Sequence, residues 1–174
     1  MRRMSLFFSI VGIALIPNIA LAQIRDQNIE QCQDRDAEIA IDGCTVLIES
    51  GYESDRNLAV SYFHRGRAHF QNKDYGLAVQ DFDEAIRLRP GFLNAFFQRG
   101  DVYAVKQDYD LAIRDYDEVI RLDPTDAIAF KYRGDVYFAQ GANERAIQDY
   151  DEALRLDPSD TEAVEARARA SAAP

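Results

Sequence analysis

A 34-residue period constrains this sequence more than any other feature. Gly66, Gly100 and Gly134 are each 34 residues apart, as are Ala78, Ala112 and Ala146, and Pro90, Pro124 and Pro158. A fixed period of this length means that one supersecondary unit recurs and buries its apolar face by stacking on its neighbours. Each unit holds two stretches whose apolar residues recur at three and four, joined by a polar turn such as NKDYG (72–76) or KQDYD (106–110). This periodicity predicts helices, so each unit is a helical hairpin and the fold is all-α. Acidic clusters recur with it: QDFDEAIRLRPG (80–91), RDYDEVIRLDPT (114–125) and QDYDEALRLDPS (148–159). Three acids in four residues raise the question of metal or acid–base chemistry.

The residues at fixed offsets resemble the tetratricopeptide repeat (TPR) family. The first unit supplies Tyr62, Gly66, Ala78, Phe82 and Pro90. The second supplies Phe96, Gly100, Tyr103, Ala112, Tyr116 and Pro124, and the third Phe130, Gly134, Tyr137, Ala146, Tyr150 and Pro158. Two departures stand out: His69 replaces a Tyr, and Arg65, Arg99 and Arg133 replace the Leu before Gly. The resemblance implies a superhelical α-solenoid of antiparallel hairpins, with repeats at 59–92, 93–126 and 127–160. A degenerate N-terminal hairpin is expected at 23–58, because AIDGCTVLIE (40–49) overlays AVQDFDEAIR (78–87), and a capping helix and tail at 161–174. Gly and Ala allow close helix approach, the aromatics fill the space, and Pro ends the second helix. Thr125 and Ser159 are the expected N-caps, with Asp126 and Asp160 at the favourable end of the helix dipole.

The first 22 residues differ from the rest. Arg2 and Arg3 precede an apolar run to Leu21, and Ala20-Leu21-Ala22 gives a small-x-small pattern. This reads as a signal peptide cleaved after Ala22; the alternative is an uncleaved anchor, for which the run is shorter than the roughly 20 residues a span needs. Export to the periplasm or beyond is therefore expected, with no stable membrane anchoring after cleavage. In an oxidising compartment the only two cysteines, Cys32 and Cys44, read as a disulfide. It would staple the irregular hairpin, contributing about 3 kcal/mol on the chain-entropy estimate.

The formal charge of −10 argues against nucleic acid and anionic membranes as partners. No catalytic motif appears, and His64 and His69 do not share a helix face. No enzyme activity, metal or cofactor is expected. The acids receive structural jobs instead. Asp83–Arg87, Asp117–Arg121 and Asp151–Arg155 have the favourable i,i+4 order, leaving Glu84 solvated. Asp81 stands level with Arg65 across the hairpin, and the same offset gives Arg99–Asp115 and Arg133–Asp149, three expected semi-buried pairs.

Binding remains. By resemblance the first helix of each hairpin lines a concave groove, which points to Phe63, Arg67, Phe70, Asn94, Phe97, Asp101, Lys131 and Asp135 as groove residues, with Val60, Ala104, Ile128 and Phe138 at equivalent positions. The alternative for the aromatics is burial between adjacent repeats. TPR domains that grip the acidic C-termini of chaperones use a clamp of Lys, Asn and Arg; here those positions hold Phe63, Arg67, Gln98, Ile128 and Tyr132, so no clamp is assembled. The groove suits a protein or peptide segment with apolar anchors and some basic residues. The expected function is an exported interaction module. The other reading is a cell-envelope scaffold acting through self-association or convex-face contacts.

Overall fold

The computed structural model describes residues 18–173, and every regular element among them is an α-helix. The first hairpin pairs α1 (Asn18–Cys32) with α2 (Ala37–Glu49). Three more follow: α3 (Asp55–Gln71) with α4 (Tyr75–Leu88), α5 (Leu93–Val105) with α6 (Tyr109–Leu122), and α7 (Ala127–Ala139) with α8 (Asn143–Leu156). The stack closes with α9 (Thr161–Ala172). Residues 1–17 of the expected signal peptide lie outside the described residues, and α1 runs through the expected cleavage point. Among the described residues no helix is long and apolar enough to cross a membrane.

Packing joins consecutive helices, with lighter contacts between α1 and α3, α3 and α5, and α7 and α9. The core is therefore a row of small cores. Inside each regular hairpin an aromatic ring presses on a glycine. A Cβ added at Gly66 would lie 2.9 Å from Phe82 Cε1, at Gly100 3.0 Å from Tyr116 Cε1, and at Gly134 2.9 Å from Tyr150 Cε1. Phe82, Tyr116 and Tyr150 are wholly buried, as are Ala78, Ala112 and Ala146. Burial of each ring contributes roughly 2–3 kcal/mol in transfer free energy.

The first hairpin solves the same problem with a covalent bond. Cys32 and Cys44 form a disulfide with a Cα–Cα distance of 4.4 Å. Cys44 occupies the ring's place, and the helices come closer than elsewhere. A Cβ at Gly43 would stand 2.6 Å from Gln31 Cβ and 2.7 Å from the Cys32 amide nitrogen.

The ends of the helices are chemically specified. The turns after α3, α5 and α7 each need one left-handed residue, supplied by Lys73 and Gln107 at φ 64° and by Gly141 at φ 77°. At α7 and α9 the caps differ from the sequence expectation. Asp126 accepts from the Ile128 and Ala129 amides at 3.0 and 3.1 Å, and Asp160 from the Ala163 amide at 3.1 Å. Thr125 and Ser159 instead donate their hydroxyls to Asp123 and Asp157 at 2.7 and 2.6 Å, closing the turn around Pro124 and Pro158. A carboxylate outcompetes a hydroxyl at the positive end of a helix dipole, which frees the hydroxyl for the turn.

Candidate functional site: a hollow across alternate helices

The acidic clusters are absorbed by the architecture. Arg65 forks onto Asp81, Nε donating to Oδ2 at 2.9 Å and Nη2 to Oδ1 at 2.8 Å. Arg99 grips Asp115 in the same way at 2.9 and 2.6 Å, and Arg133 grips Asp149 at 2.8 and 2.6 Å. All three aspartates are buried. Burial pushes the Asp115 carboxyl above its ordinary value, and the Arg99 fork offsets this. Burial works against the charge on Arg99, yet its bonds to Asp115 and Asp83 keep it more basic than usual.

A third donor of each forked arginine reaches back to the preceding hairpin, and Arg167 on α9, which has no fork, makes the same contact through Nε. Arg99 Nη1 donates to Asp83, Arg133 Nη1 to Asp117, and Arg167 Nε to Asp151. Arg65 Nη1 meets the hydroxyl of Thr45 at 3.1 Å, so the ladder continues into the first hairpin without a carboxylate. This corrects the expected i,i+4 pairs. Arg87 bonds Glu84, Arg121 bonds Glu118 and Arg155 bonds Glu152, all at i,i+3, so Glu84 is paired rather than solvated. The forked arginine of the next hairpin is already fixed in place, and it draws off the aspartates that the flexible surface arginines would otherwise hold.

The groove residues fall into two sets. Phe63, Arg67, Asn94 and Phe97 come together with Leu93, Gln98, Asp126 and Ile128 around a hollow of about 400 Å³ spanning α3, α5 and α7. Phe63 is 8% exposed and packs on Phe92 and Phe82, with ring centroids 5.0 and 6.0 Å away, so it forms the floor. Phe97 is half-buried against Tyr116 and Tyr132, at 5.6 and 5.1 Å. Ile128 is 54% exposed at the rim. Phe70, Asp101, Lys131 and Asp135 do not line this hollow. Phe70 stacks on Tyr75 at 5.9 Å. The Lys131 ammonium is held by Glu162 at 2.7 Å and Asp160 at 3.4 Å. Leu93 and Asp126 were not among the sequence candidates. The signal for Leu93 was its place four residues before Phe97, on the same helix face.

Asp101 and Asp135 have one partner type in common. Tyr116 donates its hydroxyl to Asp101 Oδ1 at 2.7 Å, and Tyr150 to Asp135 Oδ1 at 2.8 Å. Burial raises the Asp101 carboxyl to about 6, with the tyrosine bond opposing. Asp135 is raised for the same reason. In the corresponding place α3 carries Arg67, and α4 opposes it with Phe82, which has no hydroxyl to offer. Among the described residues no cluster of His, Cys, Asp and Glu is arranged to hold a metal ion.

A family model described as Tetratricopeptide repeat matches residues 97–161, and another of the same description matches 59–92. No curated protein matches the sequence. Among solved structures, MamA (41-end) from Desulfovibrio magneticus RS-1 is 21% identical, with a TM-score of 0.72 over 86% of this chain and 88% of that one. The second TPR domain of the human RPAP3 protein, in complex with the HSP70 peptide SGPTIEEVD, is 25% identical, with a TM-score of 0.65 over 68% of this chain and 98% of that one. The first TPR of Spaghetti (RPAP3), bound to the HSP90 peptide SRMEEVD, is 23% identical, with a TM-score of 0.65 over 70% and 96%.

Proposed function

This chain belongs to the tetratricopeptide repeat family, and from that premise we propose that it is an exported interaction module holding a peptide or protein segment in its concave groove. The observation that carries the reading is the hollow of about 400 Å³, with its aromatic floor, exposed Ile128 rim and polar edge at Asn94 and Gln98. Apolar depth with a few placed polar groups is the usual character of a ligand site. Two structural neighbours hold peptides, which supports a peptide as the occupant here. Those peptides end in Glu-Glu-Val-Asp, whereas this groove lacks the chaperone clamp and offers rings with one arginine. Export is supported by the leader pattern of residues 1–22 and by the disulfide.

The test is affinity capture from a cell-envelope extract with residues 23–174. The Phe63 ring is part of the core, so its truncation would confound folding with binding. Ile128→Glu alters only the rim. Loss of a specific partner by Ile128→Glu, with the melting temperature unchanged, is the expected result; an unchanged set of captured proteins would sink the groove reading. Sequencing of the exported chain is expected to begin at Gln23.

One observation favours the scaffold reading. Beside the first hairpin Ile24, Val46 and Tyr52 surround a second hollow of about 400 Å³, and Tyr52 is 92% exposed. Self-association through this surface predicts that Tyr52→Ser lowers the oligomer mass measured by light scattering.

A further inference from the structure

The charges around the hollow define its occupant further, an inference that rests on the groove reading. Charged side chains at the helix interfaces are mostly paired, as in the arginine forks and the Lys131 contacts. Of the charges at the groove, Asp126 is spent on the amides that cap α7, and two others differ. Arg67 forms no ion pair among the described residues; its guanidinium lies 5.9 Å from the Phe63 ring centroid, exposed at the edge of the hollow. Asp101 forms none either. It accepts from the Tyr116 hydroxyl at 2.7 Å and from Gln98 Nε2 at 2.8 Å, both neutral donors. A carboxylate has about four acceptor sites, so two stay open to a cation.

Arg67 and Asp101 are 34 residues apart and hold the same rank in consecutive hairpins. Each lies four residues beyond an aromatic of the hollow, Phe63 and Phe97 respectively. The groove is thus positive on α3 and negative on α5, with apolar surface alongside. Asp135, the next in rank, is acidic as well, but it has Lys131 and Arg169 nearby to offset it. Asp101 has no such cation. Burial raises it to about 6 against the opposing Tyr116 bond, so a basic group arriving there meets a charge that solvent screens poorly.

We propose that the groove takes an extended peptide segment whose large apolar side chain fills the hollow, with an acidic residue that meets Arg67 at the edge and a basic residue that reaches beyond the lining, past Gln98, to Asp101. Packed helices lie about 8–10 Å apart, and an extended chain advances about 3.3 Å per residue. The acidic and basic residues therefore stand roughly three positions apart.

The probes are three end-capped Gly/Ser peptides, each with one Phe. The Phe is bracketed by Glu and Lys in the first, by two Glu in the second and by two Lys in the third. Binding is read by fluorescence anisotropy at low salt and at a pH above 7. The native chain is expected to bind the Glu/Lys peptide roughly fivefold more tightly than either other one. Arg67→Glu moves the preference to the two-Lys peptide. Asp101→Asn, which still accepts the Tyr116 bond, removes discrimination between the Glu/Lys and two-Glu peptides. Equal affinities for all three, or an unchanged order in Arg67→Glu, overturn the inference. Phe97→Ala separates this failure from failure of the groove reading. If it weakens all three peptides while their order stays flat, the groove stands and the charge polarity falls; if it changes nothing, both fall. If none of the three binds saturably, the stated ligand chemistry is overturned, and the groove reading rests on its own capture experiment.

Discussion

At the scale of single residues the informative group is the arginine that replaces an apolar side chain before each repeat glycine. Arg99 spends two donors on Asp115 inside its own hairpin and a third on Asp83 in the one before. Asp115 is 4% exposed, so it tolerates its charge only while the fork is in place. Arg99→Leu is expected to destabilise by about 3–5 kcal/mol, because it leaves a buried carboxylate unpaired. Adding Asp115→Leu should recover much of that loss, since an apolar pair of similar volume is often no worse than a buried ion pair. Urea denaturation of both variants checks this; an equal loss in the single and double variants would contradict it. Asp101 supplies the opposite case, a half-buried acid without a cation. Its carboxyl titrates near 6 in the fold and near the ordinary 3.8 when exposed. Between these values the folded chain holds more protons than the unfolded one, so this group lowers stability as pH rises from about 4 through about 6. Asp101→Asn is therefore expected to be neutral below pH 4 and stabilising above pH 6, read from the difference in melting temperature across that window.

At the scale of helices the first hairpin stands apart. Its close approach rests on Gly43 and on the Cys32–Cys44 bond, where the other hairpins use a ring on a glycine. Reduction should cost about 2–4 kcal/mol, and the cost should fall on α1 and α2 because packing runs between neighbours. Hydrogen exchange in reductant is expected to rise across residues 18–49 and to leave α5–α8 protected. Much of this was legible in advance. The 34-residue period gives hairpins, and the 16-residue offset from Arg65 to Asp81 gives their register, because both depend only on geometry within one hairpin. What failed was anything set by one hairpin against the next. Asp83 has a helix neighbour at Arg87 and a second suitor at Arg99, and only the stacking angle decides between them. Phe63 and Phe97 hold equivalent positions, yet Phe63 becomes floor because Phe92, in the following loop, folds over its ring, whereas Phe97 meets Tyr132 instead. The hollow itself lies across three hairpins, so no single repeat unit announces it.

At the scale of the whole molecule the stack has two unlike ends. The N-terminal end is stapled by a disulfide and leaves apolar residues exposed. The C-terminal end is covered by α9, whose Ala166 and Ala170 pack with Tyr137, Ala146 and Tyr150. Arg167 of α9 completes the ladder on Asp151, and Glu162 holds Lys131. α9 therefore does for the last hairpin what each following hairpin does for the one before. In a linear array a lost end unit removes one interface, and the effect decays along the stack because each unit contacts only its neighbours. Deleting residues 161–174 is expected to uncover the Tyr150 ring and leave Lys131 with Asp160 as its one remaining partner, so that α7 and α8 open by local unfolding while α3 and α4 exchange slowly as before. Native-state hydrogen exchange distinguishes this from its opposite. A graded loss, largest in α8 and fading toward α4, fits a chain of nearest-neighbour couplings. A uniform loss in all helices would mean that the Asp–Arg ladder binds the array into one cooperative unit, and that the arginines serve whole-stack cohesion more than the register of single hairpins.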